Sequence, residues 1–349
     1  MKILLSIYNL LLLGFLTQSC NNTSLTEQIE FKSNSHIYRP AKIDSIMLDT
    51  STDPIGYIDK LIINEDSYFV LDLKKSKNIF QYANNGKFVR AYVTRGQGPL
   101  ELEHVFNFAI YDSTLFILGR ASGKAKLIKH NLISGKEHVF FPFGEKQNLS
   151  KQIHVDEHYI YFLRDIIGSE QYYVTVHDHD LNLVKKSSKK IPDVNKYGAF
   201  GRNQTSGFLN GDLYYAGLYD HKLYFLNKTS KTYNFNFDLN EYTDIDRKKI
   251  KNYELERKSS LKNDIMKKNG LISVVTNDRS SFYVRNLARK KHYIYNLDEL
   301  TVNQINFDFV YKMFENDINV NGPIYYGDGK MYFFEGREEK SYLTIYEVK

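Results

Sequence analysis

Four arginines, Arg120, Arg164, Arg285 and Arg337, each follow an aromatic or aliphatic run, and two more, Arg95 and Arg202, stand beside glycines in polar connections. A guanidinium offers five N–H donors in a fixed fork, so several of them around one pocket suit a carboxylate, sulfate or phosphate. The same residues also read as staples within the fold, because Arg95 has Glu101 nearby, Arg164 has Asp165 and Arg337 has Glu338. Other candidate chemistry is weaker. His154-Val155-Asp156-Glu157-His158 spells the inverted zinc-peptidase motif, which needs both histidines on one helical face. Here Asp156-Glu157 falls in a turn between strand-like runs, and four extended residues separate side chains by about 13 Å, so no zinc site is expected. His177-Asp178-His179-Asp180 puts two histidines on one strand face but reads as an outer hairpin. Gly96, Gly98 and Pro99 could cradle a phosphate, and read more simply as a tight turn. The chain contains no G-x-S-x-G, no phosphate loop and no C-x-x-C, so serine-hydrolase, nucleotide and disulfide-exchange chemistry has no motif to rest on, and no cofactor or metal is expected.

The elements that would hold those arginines announce themselves as a repeat. A polar turn followed by an apolar strand occurs six times, at Asn64–Ser67, Tyr111–Ser113, Val155–His158, Asn210–Asp212, Asn277–Arg279 and Gly327–Lys330. The strands that follow begin at Tyr68, Leu115, Tyr159, Leu213, Phe282 and Met331, with gaps of 47, 44, 54, 69 and 49 residues. Those are the spacings of propeller blades. Short apolar runs precede the anchors (Leu61-Ile62-Ile63, Phe108-Ala109-Ile110, Ile272 to Val275), and hairpins such as Asn84-Asn85-Gly86-Lys87 follow them. The expected fold is all-β, a six-bladed β-propeller over residues 37–349, with a fourth strand for the last blade supplied by Ala41 to Leu48. Glu241 to Lys268 lacks Gly and Pro, is rich in helix formers, and reads as a helical insertion between blades 4 and 5. A composition of 15% aromatic residues with no Trp and six Pro agrees with strands, while 42% hydrophobic and 25% charged residues exclude a disordered chain. In a propeller, the loops joining second to third strands and those joining blades emerge on one face. The six arginines therefore share a face, and the Asp turns (Asp66, Asp112, Asp156, Asp212, Asp278, Asp328) take the other. The inner strands are mainly apolar, with Asn107, His154 and Ser273 as exceptions and no acidic cluster to hold a metal.

Met1-Lys2 followed by the apolar run Ile3 to Leu16 has the length of a signal peptide, read here as residues 1–19, and is short for a membrane span. The single cysteine, Cys20, ends Leu16-Thr17-Gln18-Ser19-Cys20 and looks like the lipid-modified first residue of a mature lipoprotein, with residues 20–36 as a flexible polar tether. The net charge of +6 is small for 349 residues and spread along the chain, which gives nucleic-acid binding little electrostatic support.

The stretch Tyr82 to Glu101, with its Asn84-Asn85-Gly86-Lys87 hairpin and Gly96-Gln97-Gly98-Pro99-Leu100-Glu101 turn, resembles the blade junction of the TolB-like or NHL-like six-bladed propeller lipoproteins of Bacteroidota. Leu100 stands where that family commonly has glycine. The resemblance implies fold and location and little about chemistry. A monomer lipid-anchored to the outer membrane is expected, facing the periplasm because Asn21-Asn22-Thr23-Ser24 after the cysteine carries no acidic run. The expected function is non-enzymatic binding of an anionic glycan, peptide or protein partner at the arginine face. The alternatives are a propeller-type lyase or lactonase-like hydrolase, or a purely structural envelope scaffold.

Overall fold

The computed structural model describes residues 28–51, 55–141, 152–165, 171–190, 206–216, 222–226, 232–234, 272–275, 280–286, 291–306, 324–337 and 340–348. Three strands open the described chain, β1 (Gln28–Glu30), β2 (Lys32–Tyr38) and β3 (Ala41–Leu48), and each joins a different later sheet. The first blade is β4 (Lys60–Asn64), β5 (Ser67–Asp72), β6 (Asn78–Ala83) and β7 (Phe88–Ala91). The second is β8 (His104–Tyr111), β9 (Thr114–Ala121), β10 (Lys124–Asn131) and β11 (Glu137–Phe140). The third is β12 (Gln152–Val155), β13 (Ile160–Asp165), β14 (Gln171–His177) and β15 (Leu183–Lys190). The fourth is β16 (Ser206–Leu209), β17 (Asp212–Ala216), β18 (Lys222–Phe225) and β19 (Thr232–Asn234). The fifth is β20 (Ile272–Val275), β21 (Ser281–Asn286), β22 (Lys291–Asn296) and β23 (Thr301–Ile305). The sixth is β24 (Tyr325–Gly327), β25 (Lys330–Arg337) and β26 (Lys340–Glu347), completed by β3.

Local sequence explains the hairpins. Four of the five inner-to-second-strand turns described have two central residues, and the first of them, Glu65, Asp112, Asn210 or Asp328, takes a left-handed φ of 49–51°, while blade 3 turns through the four residues Asp156 to Tyr159. Polar residues and the glycines Gly211 and Gly329 suit that conformation, and it matches the twist of the flanking strands. Alternation along the second strands then sends successive side chains to opposite neighbouring blades. In β13, Ile160 and Phe162 pack toward blade 2, while Tyr161 and Leu163 pack toward blade 4. Six apolar clusters result, one in every seam between adjacent blades, and they close into a ring.

Closure follows the expected scheme. Antiparallel pairing of β3 with β26 runs from Ala41 opposite Glu347 to Leu48 opposite Ser341, and ties the two ends of the chain into one sheet. Gly86 lies against this seam. Its φ is +83°, its carbonyl accepts from Asp49 N at 2.9 Å, and a Cβ there would fall 2.0 Å from the Met47 carbonyl. Residues 28–36, expected within a flexible tether, are a correction. β1 and β2 add parallel fifth strands to blades 4 and 5, and Phe31 between them is 2% exposed, edge-on to Tyr295 at 4.7 Å. The helical insertion expected at 241–268 lies outside the described residues. No helix is present among the described residues, and so none there is long and apolar enough to cross a membrane.

Candidate functional site

Inner strands β4, β8, β12, β16 and β24 are neighbours around the ring axis. Each inner strand starts at the face from which the blade-to-blade connections arrive, so its first residues line the axis beneath the arginine-bearing loops. Four of the polar residues there belong to four different blades. Lys60 opens β4, and its Nζ donates to Asn107 Oδ1 at 2.9 Å and to the Phe108 carbonyl at 2.6 Å, both on β8. His154 of β12 meets Ser206 Oγ of β16 at 2.8 Å. Ser206 Oγ donates in turn to Gln152 Oε1, which also accepts from Tyr172 OH at 3.2 Å. Since the Ser206 proton is committed to Gln152, Ser206 accepts from His154, which fixes the proton on Nε2 and leaves the lone pair on Nδ1.

Burial governs the charge of this cluster. Lys60 and Asn107 are each only 8% exposed. Removal from water pulls the Lys60 ammonium down to about 7, with no carboxylate close enough among the described residues to lift it. His154 is pulled down to about 3, first by burial and then by the Lys60 charge, so it is neutral at physiological pH. As a whole residue His154 is half-buried.

The arginines form a second group. Arg120, near the end of β9, shares its strand side with Phe116 and Leu118, which pack toward blade 3. Arg164 on β13 shares its side with Ile160 and Phe162, which pack toward blade 2. The two residues therefore enter one cleft from opposite walls. Arg120 Nε is buried with no hydrogen-bond partner among the described residues, and the Arg164 guanidinium lies 5.0 Å from the centre of the Tyr173 ring. Arg285 lies on β21 and Arg337 ends β25, and their side chains lie outside the described residues, as do Arg202 and Cys20 altogether. Arg95 is exposed and forms no ion pair with Glu101 among the described residues.

Glu101 is used differently. Its carboxylate accepts from Gly98 N at 2.8 Å, and a Cβ on Gly96 would lie 2.0 Å from Glu101 Oε2. The glycine turn that could cradle a phosphate is filled by the chain's own carboxylate. Lys126 Nζ pins the turn by donating to the Gly98 carbonyl at 2.7 Å and to that of Glu101 at 2.9 Å. The two histidines of the zinc-like motif separate as expected, His154 to the axis and His158 to an exposed turn capped by Asp156. His177 and His179 also part, the first to the Leu181 carbonyl and the second to that of Asp156. Among the described residues no group of three or more His, Cys, Asp or Glu side chains is placed to hold a metal ion.

Sequence reasoning found Asn107 and His154 as polar exceptions on inner strands and missed Lys60, Gln152 and Ser206. Lys60 precedes the apolar run by one residue, where a lysine ordinarily reaches solvent. Only the closed ring turns that strand end inward.

The six sheets around one axis agree with the sequence: residues 17–331 match the family model described as 6-bladed beta-propeller, DUF5128. The chain belongs to that family. Among solved structures, a candidate exported protein of Bacteroides fragilis is similar over 93% of this chain and 100% of its own, with a TM-score of 0.61 and 15% identity. A member of the DUF4221 family from Bacteroides vulgatus is similar over 90% of this chain and 99% of its own, with a TM-score of 0.59 and 11% identity. At these identities the likeness concerns the fold alone. No curated relative matches this DUF5128 propeller in sequence.

Proposed function

We propose that this DUF5128 protein is a lipid-anchored, non-enzymatic propeller that binds an anionic glycan, peptide or protein partner in the cleft between blades 2 and 3. The observation that carries this reading is Arg120 Nε, a buried donor with no acceptor among the described residues, across the cleft from Arg164. A buried unsatisfied donor costs about 1–3 kcal/mol. An oxyanion entering the cleft would satisfy it with charge-assisted, bidentate bonds. Arg95, Arg202, Arg285 and Arg337 extend the same face on this reading. Cys20 at the end of the apolar leader supports a lipid anchor, and the exported description of the Bacteroides fragilis relative supports an envelope location. The body then hangs as a monomer from the outer membrane on the periplasmic side.

The test is a thermal-shift screen of the body from Asn21 onward against acidic glycans, peptidoglycan fragments and simple anions. A ligand at 100 times its Kd adds about 2.7 kcal/mol of stability. The shift is expected in the parent and absent in an Arg120→Ala/Arg164→Ala variant. A ligand that shifts both proteins equally removes the cleft from the site. The anchor is checked separately, since Cys20→Ala protein is expected to leave the membrane fraction.

A further inference from the structure

The axial cluster has its own unpaired chemistry. A protonated lysine carries three N–H donors, and Lys60 gives two of them to neutral acceptors, Asn107 Oδ1 and the Phe108 carbonyl. The third has no acceptor among the described residues. The carboxylates nearest in sequence are committed to turn amides: Asp59 accepts from Leu73 N, and Asp72 accepts from Gly56, Lys74, Lys75 and Ser76 N. The neighbouring β24 brings Tyr325 and Tyr326 and no acid, β8 adds an exposed His104 and the tyrosine Tyr111 and no acid, and β12 brings His154 in its neutral form. A buried cation with no counter-ion is the arrangement that proteins ordinarily avoid by pairing it or by giving up the proton. His154, near enough for the Lys60 charge to act on it, presents the opposite valence, an imidazole lone pair at Nδ1 on a half-buried residue. A spare donor that can carry charge thus stands near a fixed neutral acceptor.

We propose that Lys60 and His154 form an axial subsite for a carboxylate bearing an adjacent hydroxyl, as in a hydroxy acid or a uronic acid. The carboxylate takes the third N–H of Lys60, and the hydroxyl donates to His154 Nδ1. Asn107 holds Lys60 in place from β8, and the Ser206–Gln152–Tyr172 chain holds the imidazole in the tautomer that accepts. The subsite uses no residue of the arginine cleft and stands or falls apart from it.

Titration calorimetry of the full-length protein with glycolate and glucuronate, against acetate and glucose as controls, tests the assignment. Binding of glycolate is expected at pH 6 and is expected to weaken about tenfold by pH 8, as a lysine with a midpoint near 7 gives up its proton. Lys60→Met is expected to abolish it. His154→Leu is expected to keep acetate-strength binding and to lose the preference for glycolate over acetate. Arg120→Ala/Arg164→Ala is expected to bind glycolate like the parent. Undiminished binding in Lys60→Met, the same affinity at both pH values, or no carboxylate bound at pH 6 overturns the proposal. So does loss of glycolate in the arginine variant with retention in Lys60→Met, which would move the anion to the cleft. Should Lys60→Met not fold, the titration of the Lys60 Cε methylene by NMR decides. Glycolate must raise its midpoint, and an unmoved midpoint overturns the subsite.

Discussion

Burial disfavours the charged forms of Lys60 and His154, and the sign of that effect fixes how stability depends on pH. A lysine whose midpoint falls from 10.5 to about 7 on folding binds fewer protons in the native than in the unfolded chain between those values. Its penalty is therefore complete below pH 7 and is relieved as pH rises through that window, at up to about 1.4 kcal/mol per pH unit. Lys60→Met keeps an unbranched side chain one atom shorter and removes the charge. Without ligand, it is expected to be at least as stable as the parent at pH 6, with the difference shrinking by pH 9 in urea titrations. His154, moved from 6.5 to about 3, behaves alike at lower pH. Acid is expected to destabilise the parent progressively from pH 6.5 downward, and His154→Asn to flatten that limb. A His154→Asn variant with the parent's acid profile would show that other groups set it.

The strands divide into those the sequence announces and those it conceals. Turns such as Asn64–Ser67 and Gly327–Lys330 put polar residues tolerant of left-handed φ before apolar runs, so both hairpins were legible, and so was Ala41 to Leu48 as the closing strand. β1 and β2 were not. Gln-Ile-Glu and Lys-Ser-Asn-Ser-His-Ile-Tyr lie on the outer edges of sheets, carry no sustained apolar alternation, and look like a solvated tether. Among the side chains described there, Phe31 is the one that is buried. It stands edge-on to Phe282 at 6.1 Å and Tyr295 at 4.7 Å, whose rings stack on each other. Phe31→Ala is expected to lower the unfolding free energy by about 3 kcal/mol, whereas a true tether residue would change nothing. Truncation after Tyr38 should leave six closed blades of reduced stability. Truncation after Leu48 removes β3, exposes the edge of β26, and is expected to aggregate in size-exclusion chromatography.

Ring closure makes the molecule more than a row of sheets. In an open array each repeat contacts only its neighbours, and damage at one end is felt there first. Here every blade has a partner on both sides, and the seam between blades 6 and 1 holds Leu48, Phe80, Tyr82 and Leu343 in an apolar cluster as continuous as the one between blades 2 and 3. The same closure turns the first residues of the inner strands toward a shared axis, which is why Lys60, His154 and Ser206, separated by long stretches of sequence, end up in one place. No periodicity in the sequence carries that information, because it depends on the angle at which six blades meet. The energetic counterpart can be measured. Phe80→Ala at the closing seam and Phe162→Ala at the far seam each delete a fully buried ring, and each is expected to cost about 3–5 kcal/mol in one common unfolding transition. Because the two sites share no contacts, the double variant should lose the sum of the two to within about 0.5 kcal/mol. Two transitions in either variant, with only the blades next to the mutation melting early, would mean that the ring unfolds as separable sheets and that β3 latches it without coupling it.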